Sequence, residues 1–313
     1  MATKTPVLVA GATGLLGFEI AKRLSRQEGV QVTALVRPGG SDNPHKQEKL
    51  TSLKQHNVAI VEADLLDPAS LQRACQNIEI VISAVNGDAD VMVDGQTNLI
   101  KAAEASGVRR FIPSDYNVDY RNLDWGDHYQ LNFRKALLTT LQGSKRLSYT
   151  LVMNGILMET LFSPFGCVFD FQKGRFKYWG DGNTPFEVTS LYDVAAYTAA
   201  AALDEGMVNQ VLQVAGDRLT MNELKAAYEA HTIERLGEYP QGSTTDLLHW
   251  IALRREKATS PHEYLAQQQH YALVSGKGKL TQLLNDRYPN IRPITVRDYI
   301  KSHYRTETIG VRF

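Results

Sequence analysis

Apolar and polar positions change their spacing several times along the chain, and the changes mark its elements. VLVA (7–10) is a short apolar run, and the stretch that follows Gly17 places Ile20 and Leu24 among polar residues at helical spacing. VQVTALVR (30–37) reads as a second strand, with a helix over Gln47 to His56, a third strand over Val58 to Glu62 and a fourth over Glu79 to Val85. Asp67 followed by Pro68 signals a helix start: the carboxylate caps a free N–H, and proline at the first helical position lacks the donor that would go unpaired. A helix over Gln96 to Ser106 turns Leu99, Ala102 and Ala103 inward, and Arg110 to Ser114 forms a fifth strand. His128 to Gln142 is helical and Leu147 to Asn154 is a sixth strand. Alternating strands and helices predict an α/β fold with a doubly wound parallel sheet of Rossmann type, whose ligand lies at the strand carboxyl ends. Those ends carry Gly11, Arg37, Asp64, Leu65, Ala84, Val85 and Ser114.

Beyond Asn154 the texture changes. Residues 155–179 hold Phe162, Phe165, Phe169, Phe171, Phe176, Tyr178 and Trp179, several near glycines and prolines. One reading is a wall for a flat apolar ligand; the other is ordinary core of a second, smaller domain. Pro185 to Leu203 is expected to return to the first domain as a strand and an alanine-rich helix, and Gln210 to Ala215 supplies one more strand. From Thr220 the pattern is mostly helical, with the polar segment Arg254 to Gln269 expected to cover the site. The expected division is therefore 1–154 with 185–219 as a dinucleotide domain, and 155–184 with 220–313 as a mostly helical substrate domain.

Between the first strand and the first helix stands Gly11-Ala-Thr13-Gly14-Leu15-Leu16-Gly17. In a dinucleotide fold the first glycine makes the tight turn, the second admits the pyrophosphate to the backbone, and the third lets helix approach strand. The phosphates then meet free N–H groups at the positive helix end. Arg37 ends the second strand where an NAD-binding unit usually has an acid for the ribose 2′-hydroxyl, and Lys46 follows. That pairing suits a 2′-phosphate and points to NADPH. The competing reading of Lys46 is a solvated lysine at a helix start.

Composition narrows the partners. The 313 residues carry 34 basic and 34 acidic side chains, so nothing draws the chain to nucleic acid or an anionic membrane. Cys75 and Cys167 match neither a disulfide framework nor a zinc spacing, and no metal is expected. MATKTP has no apolar stretch and no apolar run approaches ~20 residues, so a cytoplasmic location and a small-molecule substrate are expected. A homodimer stays open.

Taken in order, GATGLLG, ALVRPGG, NPHKQEKL, EADLLDPASL, IVISAV, VRRFIPSDY, QQQHYALVSGKGKL and RYPNIRPITVRDYI resemble the isoflavone reductase-like group of atypical short-chain dehydrogenases, in the NmrA-like superfamily. The resemblance spans essentially the whole chain. It implies an NADPH-dependent reductase of a flat aromatic or conjugated acceptor, with Lys135 at the nicotinamide ribose as general base or proton shuttle. A lysine that only hydrogen-bonds the ribose is the plainer alternative for that position. The usual short-chain dehydrogenase tyrosine, four residues before the lysine, is Leu131 here. The resemblance also implies Asn154 and Ile156 at the nicotinamide end and His270 at the substrate, though a structural histidine is the plain reading. Ser114 is a substrate candidate that could equally cap local backbone. Two departures stand out: the group's Glu-Phe is Asp115-Tyr116, which would add a hydroxyl to the pocket, and its arginine four residues after the lysine is Thr139. The rival function is an NADP(H) sensor without turnover, as some NmrA-like proteins are.

Overall fold

The structure, a computed structural model, describes residues 4–39 and 43–304. Its strands are β1 (Thr5–Ala10), β2 (Val30–Val36), β3 (Ala59–Glu62), β4 (Ile80–Ser83), β5 (Arg110–Ile112), β6 (Ser148–Met153), β7 (Ile156–Leu157), β8 (Phe169–Asp170), β9 (Arg175–Tyr178), β10 (Phe186–Thr189), β11 (Gln210–Gln213), β12 (Asp217–Leu219) and β13 (Gly237–Pro240). The α-helices are α1 (Leu15–Leu24), α2 (Pro44–Gln55), α3 (Pro68–Ala74), α4 (Gln96–Ala105), α5 (Tyr129–Gly143), α6 (Met158–Leu161), α7 (Leu191–Leu203), α8 (Met221–His231), α9 (Thr244–Lys257), α10 (Leu265–Val274) and α11 (Val296–His303). The middle of the loop expected after Arg37, 40–42, lies outside the described residues.

Seven parallel strands form the main sheet in the order β11-β6-β5-β4-β1-β2-β3. Both faces are covered, so alternate residues of β1 serve two cores. Val7 and Val9 pack with α1 and α7 through Ile20, Leu24 and Val194, while Leu8 and Ala10 pack with α3, α4 and α5 through Leu71, Leu99 and Leu137. The strand order reverses between β1 and β4, which opens a crevice at their carboxyl ends.

A third core, running from Val118 to Ile300, gathers the remaining elements. The expectation for Pro185 to Leu203 is corrected in half: α7 does return to the main sheet, but β10 pairs with β7 and β12 in a separate sheet. A second small sheet joins β8, β9 and β13. This region is thus less purely helical than its periodicity suggests. The chain enters the first of these sheets at Gly155, whose φ of +67° turns it between β6 and β7. A side chain there would overlap the Glu187 carbonyl.

Candidate active site

The crevice is floored by the glycine turn. Gly11 has φ +80°, and a Cβ on it would lie 2.5 Å from the Ala84 carbonyl oxygen at the end of β4. A Cβ on Gly17 would overlap the Gly11 carbonyl, so only glycine lets α1 sit this close to the turn. Gly14 caps α1 with no side chain, whereas Asn43, Asp67, His128 and Ser190 cap α2, α3, α5 and α7. The first-turn N–H groups of α1, around the exposed Leu15 and half-buried Leu16, are therefore open to an anion. This cradle fits a dinucleotide pyrophosphate.

Around it, Arg37 is exposed past β2, and Lys46 is half-buried in the first turn of α2. Lys49, which the sequence reading missed, donates from Nζ to the Thr13 carbonyl at 3.1 Å and buttresses the turn. Burial pulls its ammonium below the usual lysine range, with Glu19 opposing. Asp64 accepts from Leu66 N–H, and Leu65 is buried beyond it. Ala84 and Val85 are half-exposed, and the Ser114 hydroxyl donates to the Val85 carbonyl at 2.6 Å, tying β5 to the loop after β4.

Lys135 stands on α5 between Leu131, which packs in the third core, and Leu137, which packs under the main sheet. Its Nζ donates to the Leu123 carbonyl and lies 5.4 Å from the centroid of the exposed Trp125 ring. Asn154 is fully buried; its Nδ2 donates to the Gly155 carbonyl, while its Oδ1 has no partner among the described residues. Ile156 is buried in β7.

Three expected substrate contacts lie behind this surface. Tyr116 is 8% exposed and packs in the core beneath α7, so its hydroxyl does not open into a pocket as expected. Phe162 stacks on Phe169 with centroids 4.8 Å apart and lies against Tyr299 and Tyr304. Most of the aromatic series is accordingly core, though Phe165 and Phe171 are exposed. His270 is buried, and its Nε2 lies 2.5 Å from the Gly166 carbonyl, holding that turn.

The polar segment 254–269 packs against the loops after β4 and β5 and the start of α5. Gln269 and Asn117 exchange amide hydrogen bonds, Gln268 accepts from Tyr129 N–H, and His262 lies 3.2 Å from Asp88 in the loop after β4. His128 caps α5 by accepting from Leu131 N–H at Nδ1, which leaves Nε2 to donate to Gln269.

Two buried groups give opposite pH signatures. Burial raises the Asp115 carboxyl to about 7, although Arg134 and the Tyr120 hydroxyl favour its ionised form. Burial and the nearby Arg134 charge lower His128 to about 3. Between roughly pH 4 and 7 the folded chain holds a proton on Asp115 that the unfolded chain has lost, so this group's contribution falls as pH rises. Between 6.5 and about 3 the unfolded chain protonates His128 and the folded chain does not, so that contribution is lost as pH falls. In urea melts, Asp115→Asn should gain on wild type as pH rises from ~4 to ~7, by at most about 1.4 kcal/mol per pH unit. His128→Gln should lose ground over ~3 to ~6.5. Parallel profiles for both variants and wild type would contradict the assignment.

A model of the NmrA-like family matches residues 3–288. The chain belongs to the NmrA-like family. Eugenol synthase 1 of Petunia hybrida is 26% identical to this NmrA-like chain, covering 97% of it and 100% of that protein. Phenylcoumaran benzylic ether reductase TP7 of Nicotiana tabacum is also 26% identical, over 96% and 99% of the two chains. Among solved structures, leucoanthocyanidin reductase of Vitis vinifera in its binary complex with NADPH superposes with TM-score 0.81 at 22% identity, over 95% and 98% of the chains, a likeness of fold. Among the described residues no helix is long and apolar enough to cross a membrane.

Proposed function

We propose that this chain is an NADPH-dependent reductase of a small, flat aromatic or conjugated acceptor: an enone, a quinone, a quinone methide or a phenolic ether. What carries the reading is the uncapped N-terminus of α1 at the switch point, in a chain that matches a named reductase along 96% of its length. The backbone from Thr13 to Gly17 holds the pyrophosphate, and Arg37 and Lys46 take the 2′-phosphate. Asp64, Leu65, Ala84 and Val85 line the cofactor groove, and Asn154 and Ile156 back its nicotinamide end. When bound, NADPH supplies hydride. Lys135 manages the acceptor's proton as general base or shuttle, while Ser114 fixes the Val85 loop and Tyr116, Phe162 and His270 support the pocket from behind. Residues 1–154 with α7 and β11 serve the cofactor, and 155–184 and 220–313 with β10 and β12 serve the acceptor.

The test is fluorescence titration with NADPH and NADH, then NADPH oxidation against each acceptor class. NADPH should bind the tighter and one class should turn over. Binding without turnover of any class would favour the sensor. Arg37→Asp should weaken NADPH binding by about 10- to 100-fold, the worth of charge-assisted bonds to a phosphate, and move NADH little. Equal losses for both cofactors would refute the 2′-phosphate role.

A further inference from the structure

We propose that Trp125 is the platform on which the acceptor ring stacks, and that residues 123–127 select for planar, electron-poor acceptors. The proposal rests on the reading of Lys135 given above.

Trp125 is 66% exposed, yet the loop that bears it is held on every side. Lys277 Nζ donates to Asp124 Oδ2 at 2.6 Å and to Asp127 Oδ2 at 3.0 Å, and the Asp127 carboxylate also accepts from Asp124 N–H. Arg255 donates to the Gly126 carbonyl at 2.9 Å, and Gly126 N–H donates to Asn132 Oδ1. Gly126 has φ +95°, a turn that favours glycine, and the Leu123 side chain is anchored in the third core. The clamps are themselves seated, Lys277 over the Tyr271 ring and Arg255 over the Tyr264 ring. A large ring presented to water on a fixed loop is free to stack on a ligand at little ordering cost.

Position gives it a task. Lys135 Nζ is bonded to the carbonyl of Leu123, two residues before Trp125, and lies over the indole. A ring offset along the indole face that Lys135 overhangs would lie beside the lysine amine. Indole is electron-rich, so offset stacking favours electron-poor rings such as quinones over acceptors that carry no ring.

The experiment compares wild type, Trp125→Phe and Trp125→Leu with saturating NADPH on an aromatic quinone and an aliphatic enone. Calorimetry of the same quinone with the NADP⁺ complex runs in parallel. For Trp125→Leu, the ratio of kcat/KM for quinone over enone should fall about 5- to 10-fold, the worth of an aromatic pair, mainly through the quinone KM. Trp125→Phe should recover part of it, and quinone Kd should follow the same order. An unchanged ratio, or an equal fall in kcat on both acceptors, overturns the platform, because the second result places Trp125 behind Lys135. A wild type that binds quinone through Trp125 but turns over none of the four acceptor classes sinks the reductase and keeps the platform. A wild type that binds no aromatic ring sinks the platform itself.

Discussion

Lys135→Ala is expected to lower kcat by about 100- to 10,000-fold, the usual worth of a positioned acid or base, and to leave NADPH affinity within a small factor. The two readouts separate because the groups proposed to take the cofactor's phosphates lie between β1 and α1, just past β2 and on α2, while Lys135 lies on α5. The fold should tolerate the change. Alanine is a better helix former than lysine, and Leu131 and Leu137 keep α5 packed on both sides. Lys135→Arg supplies the second arm: its guanidinium can still donate to the Leu123 carbonyl but releases no proton near neutrality, so its turnover should stay low. If kcat survives the alanine change, Lys135 is not the proton-handling group. If turnover and NADPH affinity fall together, the lysine holds the ribose instead.

Gly11→Ala should raise the NADPH Kd by more than about 100-fold and cost roughly 2–4 kcal/mol of stability, since it adds left-handed strain to a backbone clash. The clash has no soft side. The obstructing atom is the Ala84 carbonyl oxygen, and the Ala84 N–H is bonded to the Ala10 carbonyl at 2.9 Å, so β4 and β1 must separate where the cofactor would enter. Gly107 is the internal control. Its φ of +78° is equally left-handed, but nothing lies within 4 Å of a Cβ placed there. Gly107→Ala should show only the conformational cost, about 1–2 kcal/mol, with cofactor binding intact. Cofactor titration and urea melting on both variants distinguish strain from obstruction.

The first half of the chain is legible because local chemistry and global topology agree there. Asp67 caps α3 with Pro68 at its first position as the sequence signals, and β2 to β6 each fall within the run that announced them, while β1 starts two residues ahead of its run. Later elements are harder for a physical reason. A short run such as FEVT marks a strand but not its neighbours, and the +67° turn at Gly155 precedes β7, with which β10 pairs outside the main sheet. Aromatic residues carry a similar ambiguity: a flat ring suits a ligand wall and a packed core equally, and Phe162 proved to stack on Phe169. Lys49, Gln268 and Gln269 left no signal because their partners lie 36 or more residues away. Trp125 was likewise unmarked, a single ring in a polar stretch whose clamps come from 129 and more residues downstream.

The place of β11 bears on how the chain is made. β6 is the outer strand of the main sheet until Gln210–Gln213 arrives to pair with it, with β7 to β10 and α7 in between. During synthesis the growing chain must therefore carry an open, apolar strand edge for nearly sixty residues after Met153 leaves the ribosome. Such an edge invites pairing with other nascent chains. A fragment ending at Asn154 would keep that edge for good and aggregate, so residues 1–154 do not form a free-standing unit: they fold as one piece with the segment that brings β11.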